Sequence, residues 1–315
     1  MKVKTYLGNA IDVAGDKAKY DGEAKKLTSD KNILAWIVKY TVEELKDCTL
    51  REIADCIEGN PEIAEIPVYP GKRKTDAITG MSMEDKVPGE GEVFYDIRFY
   101  IVTPKEERIK LILNVEIQKN YYPGYDLVTR AIFYCARMLS SQMDTEFTAD
   151  NYDEIKKVYS IWICLDSPRC EADSIVRYHM MPEPVVGENT VNHRYDLLTV
   201  VMIGLNENSS HAGKTPLHGI LGTLYSDELT PEEKVDILSN RYGIETTAEM
   251  KEDMRQMCNL SDAIEEKGIE KGIEKGKERI NNLYRKLKKD GRTNDVLKAI
   301  DDADYQKQLL KEYEL

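Results

Sequence analysis

Between residues 74 and 165 three β-forming stretches, an amphipathic helix and a fourth β-forming stretch follow one another, the order from which an α/β core is built. Residues 75–78 read as a short strand, residues 93–102 alternate β-formers with polar residues, and residues 111–117 are rich in leucine and β-branched side chains. Pro88-Gly89-Glu90-Gly91 marks a turn between the first two, and Pro104-Lys105-Glu106-Glu107 an exposed loop between the last two. From residue 126 to 141, Leu127, Ala131, Tyr134 and Met138 recur at helical spacing and leave a basic and aromatic margin. Residues 158–165 and 197–205 then read as buried strands, too short to cross about 30 Å of hydrocarbon. The second extends the sheet or forms its edge.

On either side of this core the pattern is helical. Thr28 or Ser29 can cap a helix beginning near Asp30, in which Ile33, Trp36, Ile37 and Tyr40 face a core. Glu43 and Glu44 open a further helical stretch to about Ile57, which Gly59-Asn60-Pro61 stops. Pro231 suits a first helical turn after Thr230, and residues 248–260 form another helix. Residues 266–277 repeat Lys-Gly-Ile-Glu every four residues, which drifts about 40° per copy around a helix axis. Each glycine there costs about 1 kcal/mol relative to alanine, so the stretch reads as an exposed, weakly helical connector or as a glycine face apposed to another helix. The expected architecture is α/β, a mixed central sheet flanked by helices with a helical C-terminal extension. It divides into an N-terminal arm (1–26), a core domain (27–245) and a charge-repetitive tail (246–315) through which a homodimer would form.

With 41% hydrophobic residues in 315, the chain has enough apolar material for a sizeable core. No apolar segment suits a membrane span, and Asp12, Asp16, Lys17 and Lys19 fall where a signal peptide needs apolar residues, so a cytoplasmic location is expected. The six cysteines are dispersed, without a CxxC, and read as small buried apolar residues. A net charge of −13 works against long-range attraction to a polyanion. Any grip on nucleic acid is therefore local, transient or helped by divalent ions.

The residues that suggest chemistry are acids on the predicted strands. Asp96 lies in Phe94-Tyr95-Asp96-Ile97-Arg98-Phe99, and Glu116 lies twenty positions on in Asn114-Val115-Glu116-Ile117-Gln118. On strands paired side by side, about 4.8 Å apart, the two carboxylates can share a hard cation. Gln118, two residues after Glu116, emerges on the same face and can orient water or a phosphate oxygen. The plain alternative for such acids is a solvated or salt-bridged sheet face.

Asn114-Val115-Glu116-Ile117-Gln118-Lys119, followed by Tyr121-Tyr122-Pro123-Gly124-Tyr125 and by Arg130-Ala131-Ile132-Phe133-Tyr134-Cys135-Ala136-Arg137, resembles the centre of the PD-(D/E)XK transposase family, the recombination-promoting nucleases. Tyr95-Asp96-Ile97-Arg98 resembles that family's aspartate strand, residues 152–161 resemble the lead into its next core strand, and the similarity covers roughly residues 27–205. The resemblance implies a restriction-endonuclease-like fold over 27–245. It also implies DNA as partner, a Mg²⁺-dependent deoxyribonuclease activity in which Mn²⁺ can substitute, and an association with mobile elements or recombination. It assigns the metal to Asp96 and Glu116 and puts Gln118 where the general pattern has lysine, a neutral donor in place of a charge.

Asp76 is a further catalytic candidate beside Asp96, and Asp30, Glu43 and Glu44 are candidate upstream acids. Arg130, Tyr134 and Arg137 share a helical surface suited to a DNA backbone, or else pack under the sheet and pair with acids. Lys119 and the cluster Lys72-Arg73-Lys74 complete the DNA-binding candidates, although Lys119 is expected on the opposite sheet face from Glu116. A catalytically silent nucleic-acid-binding or protein-interaction module on the same fold is the competing function class.

Overall fold

The computed structural model describes residues 6–63, 84–87, 91–104, 109–188, 191, 193–206 and 213–315. The expected strand at 75–78, the turn at Pro88, the loop at Lys105, Asp76 and the Lys72-Arg73-Lys74 cluster lie outside them. The chain forms two compact units, Ala18–Asn259 and Met1–Lys17 with Leu260–Leu315. The expected divisions at 26/27 and 245/246 thus move to 17/18 and 259/260. The reason is apolar: Ala24 on one side, and Met250, Met254 and Met257 on the other, lie outside 27–245 yet are buried in the core of the larger unit.

In chain order the helices are α1 (Tyr6–Thr28), α2 (Lys31–Thr41), α3 (Leu50–Cys56), α4 (Leu127–Ser140), α5 (Pro216–Tyr225), α6 (Pro231–Asp236), α7 (Ala248–Lys289), α8 (Thr293–Asp301) and α9 (Ala303–Glu312). The strands are β1 (Glu62–Ile63), β2 (Glu84–Val87), β3 (Gly91–Phe94), β4 (Ile97–Val102), β5 (Lys110–Asn120), β6 (Val158–Asp166), β7 (Ser174–His179) and β8 (Leu198–Gly204). Six strands form one mixed sheet in the order β1-β4-β5-β6-β8-β7, and β2 pairs with β3 as a separate ribbon. The pairs β5·β6 and β6·β8 are parallel, while β1·β4, β4·β5 and β7·β8 are antiparallel.

Both faces of the sheet are covered, which is why β5 and β6 read as continuous apolar runs. Leu113, Val115, Tyr159, Ile161 and Ile163 point to one face, against Leu27, Ile33, Ile37, Leu217 and Ile220 from α1, α2 and α5. Ile112, Val158, Trp162, Cys164 and Val200 point to the other, against Leu127, Ala131, Tyr134, Cys135 and Met138 of α4. Each fully buried aliphatic side chain contributes about 1.5–3 kcal/mol.

Local chemistry moves several boundaries. Asp30 itself caps α2, accepting from the Asn32 amide at 2.8 Å, in place of Thr28 or Ser29. The expected helix from Glu43 to Ile57 divides into a 3₁₀ turn at Glu43–Leu45 and α3, because Thr49 and Glu52 build a capping box that starts a new helix. The expected strand at 93–102 is interrupted at Tyr95 and Asp96. Edge strand β7 has no counterpart among the strands expected from sequence. In the smaller unit Leu283, Leu287, Ala299 and Leu309 form a separate core. The glycine repeat lies inside α7, and among the described residues a β-carbon at Gly272 or Gly276 would meet nothing within 4 Å.

All six cysteines are free. Cys135 and Cys164 are buried, and burial pushes both thiols up to about 12. Cys170, by contrast, is exposed. Among the described residues no helix is long and apolar enough to cross a membrane.

Candidate active site

The antiparallel register of β4 and β5 sets Ile97 opposite Val115, so Asp96, one residue before β4, arrives beside Glu116. The contact is reciprocal. The Asp96 amide donates to Glu116 Oε1 at 3.0 Å, and the Ile117 amide donates to Asp96 Oδ2 at 3.0 Å. Each carboxylate is thus fixed by the backbone of the opposite segment, and the break in the strand at Asp96 supplies the free amide that makes this possible.

A third residue joins from α1. Lys25 Nζ lies 2.8 Å from Asp96 Oδ1 and 2.6 Å from Asp21 Oδ2. The side chains of Lys25 and Asp96 are 8% and 18% exposed, that of Asp21 is 42% exposed, and Glu116 is buried. Burial pushes the Glu116 carboxyl well above the ordinary glutamate range, and the neighbouring charge of Asp96 pushes in the same direction. Burial also raises Asp96, against the pull of Lys25. Burial disfavours the Lys25 charge, but Asp96 and Asp21 outweigh it and hold the ammonium above the ordinary lysine range. Two acids that resist ionisation side by side are a centre short of positive charge.

Gln118 shares the Glu116 face by strand alternation, and its amide Nε2 donates to the Asn120 carbonyl at 2.8 Å. Lys119 is exposed, and its ammonium stands 5.7 Å from the ring centre of Tyr20 on α1, away from Glu116. On α4, Arg130 donates to the hydroxyls of Tyr125 (2.9 Å) and Tyr134 (2.6 Å), and its guanidinium lies over the Tyr134 and Trp162 rings. Tyr134 packs edge-on against Tyr95 and Trp162, so it positions Arg130 instead of offering a surface to DNA. Arg137 is fully buried and cannot reach a phosphate, which corrects its place among the DNA-binding candidates.

The upstream acids expected from sequence are engaged elsewhere. Asp30 caps α2, Glu43 pairs with Arg177, and Glu44 binds Tyr159 and Lys157. Among the described residues the further acid that approaches the centre is Asp21, through Lys25. Its signal is an Asp-x-x-x-Lys spacing at residues 21 and 25, legible only to a reading that makes this stretch helical.

Among the described residues no group of three or more His, Cys, Asp and Glu side chains is arranged to hold a metal ion. Asp96 and Glu116 nevertheless suit Mg²⁺ in donor type, since this ion commonly takes one or two carboxylates and completes its shell with water and phosphate oxygens. Their raised proton affinity is the demand such an ion would meet. Compared with known proteins, the chain matches no family model, no curated protein and no solved structure.

Proposed function

We propose that this chain is a Mg²⁺-dependent DNA endonuclease of the PD-(D/E)XK type, its α/β unit a restriction-endonuclease-like core serving recombination or mobile elements. The observation that supports this reading best is the reciprocal bonding of Asp96 and Glu116, which sets a buried carboxylate beside a partly buried one, both with raised proton affinity. In hydrolysis a water oxygen adds to phosphorus, the bond to the leaving sugar oxygen breaks, and a proton from the water ends on that oxygen. A bound Mg²⁺ supplies Lewis-acid polarisation of the phosphoryl group and a more acidic water. The chain's own part is to hold the two carboxylates in register and to keep Arg130 fixed by its aromatic neighbours near the same sheet face.

Incubating the purified chain with supercoiled, linear duplex, single-stranded and branched DNA, with Mg²⁺, Mn²⁺ or chelator, tests the reading. Metal-dependent cleavage lost in Glu116→Gln is the expected result. A second reading, a silent nucleic-acid-binding module, is favoured by one observation: the Gln118 amide donor is already bonded to Asn120. Binding without cleavage of any of these DNA forms would select it.

A further inference from the structure

If the centre is a nuclease, it needs a cation facing the phosphate as negative charge builds there, and position 118 provides none. Lys119 faces Tyr20, and Arg130 is committed to two tyrosine hydroxyls. Lys25 is placed differently. It comes from α1, a separate element from the motif strand, its side chain is 8% exposed, and its ammonium touches Asp96 directly. Burying an ammonium is costly unless it is paired, and this one is paired twice, with Asp96 inside and with the more exposed Asp21 outside. Its unbranched stem lets the ammonium move toward a substrate oxygen while Asp21 retains it.

We propose that Lys25 is the catalytic cation of this centre, delivered from α1 in place of the lysine that the motif lacks at Gln118. The proposal rests on the nuclease reading. Asp96 and Glu116 would hold a metal ion, which would supply Lewis-acid polarisation there, and Lys25, retained by Asp21 on its other side, would then turn its ammonium from Asp96 toward a nonbridging phosphate oxygen. No bond to Lys25 forms or breaks. Its charge opposes the charge that accumulates on phosphorus-bound oxygens as water adds and the sugar oxygen leaves.

Lys25 also repels any cation that binds Asp96, and this separates a catalytic from a structural role. In Lys25→Gln, cleavage of supercoiled plasmid falls by about 10²–10³-fold, whereas Mn²⁺ binding without DNA, measured by calorimetry at about pH 8, tightens by roughly tenfold. Adding Gln118→Lys to Lys25→Gln returns the charge from the motif position and recovers at least about tenfold in rate. A lysine that merely held Asp96 in place would give weaker Mn²⁺ binding together with slower cleavage, and that result overturns the proposal. So does Lys25→Gln cleaving at the wild-type rate. Should Lys25→Gln fail to fold, Lys25→Met is read in the same way, and if neither folds the lysine is structural and the proposal falls. Wild type that binds Mn²⁺ but cleaves none of the DNA forms refutes the nuclease reading itself, and the role of Lys25 with it.

Discussion

The backbone amide of Asp96 is bonded to the carboxylate of Glu116, and the amide next to Glu116 is bonded to the carboxylate of Asp96. Because of this exchange the two acids cannot move apart without loss of both bonds, and they cannot ionise together without mutual repulsion.

That repulsion has a sign that stability measurements read. The folded chain binds the Glu116 proton more tightly than the unfolded chain does. From the ordinary glutamate range, about pH 4.3, up to the raised folded value, the folded state keeps a proton that the unfolded state has lost, so stability falls as pH rises. Glu116→Gln removes this contribution while its side-chain carbonyl can still accept from Asp96. Denaturant unfolding should therefore find Glu116→Gln more stable than wild type at about pH 8, with the gap closing toward about pH 4. A gap that widens on acidification contradicts the burial of Glu116.

A divalent cation should offset the same repulsion. Saturating Mn²⁺, at about a hundred times its dissociation constant, adds about 2.7 kcal/mol to a protein that binds it only when folded. Binding releases the proton, so the rise in Tm should be larger at about pH 8 than at about pH 5. Chelator should reverse it, and Asp96→Asn with Glu116→Gln should abolish it. An equal rise in that double variant would place the metal elsewhere.

Two arginines seven residues apart on α4 should behave oppositely. Arg137 is buried, and Arg137→Ala should cost about 3 kcal/mol or more in chemical denaturation. The folded fraction should retain its affinity for a labelled oligonucleotide. Arg130→Ala should cost only about 1–2 kcal/mol, from lost ring and hydroxyl contacts, yet weaken oligonucleotide binding in fluorescence anisotropy. Equal affinity in Arg130→Ala and wild type would remove Arg130 from the interface.

Truncation should distinguish the two ends considered for the larger unit. A chain ending at Asn259 keeps Met250, Met254 and Met257 in the core and should unfold cooperatively. A chain ending at Glu245 loses all three, at about 2–5 kcal/mol for a buried methionine of this kind. Calorimetry that finds one sharp transition in the shorter chain would return the boundary to 245/246.

The parts of the fold that are legible in the sequence are those fixed by short-range pattern. The apolar runs of β5, β6 and β8 and the stripe of α4 appear where their periodicity places them, since each is buried by the sheet or packs directly on it. The site's strand pair is legible too, because Glu116 and Gln118 sit on a long central strand. What escapes reading depends on partners far away in sequence. The lower-periodicity helix α1 reads as an arm, and with it go Lys25 and Asp21. Edge strand β7, only half buried, carries a weak pattern because it has a sheet neighbour on one side alone. Arg137 looks like a surface cation because its local sequence gives no sign that the last turn of α4 is sealed.

The pairing of Asp96 with Glu116 also acts as a parity check on the chain. One residue inserted between Val102 and Lys110 lengthens a connection and leaves every pairing from Ile97 to Val102 intact. One residue inserted within β4 turns each following side chain to the other face of the sheet, and holding Asp96 beside Glu116 then forces Phe99 and Ile101 out of the core. A one-residue change in strand length is therefore absorbed on this segment only as a local bulge, whereas a two-residue change keeps the alternation. Divergent copies of this chain should change length in β4 only by steps that restore the alternation.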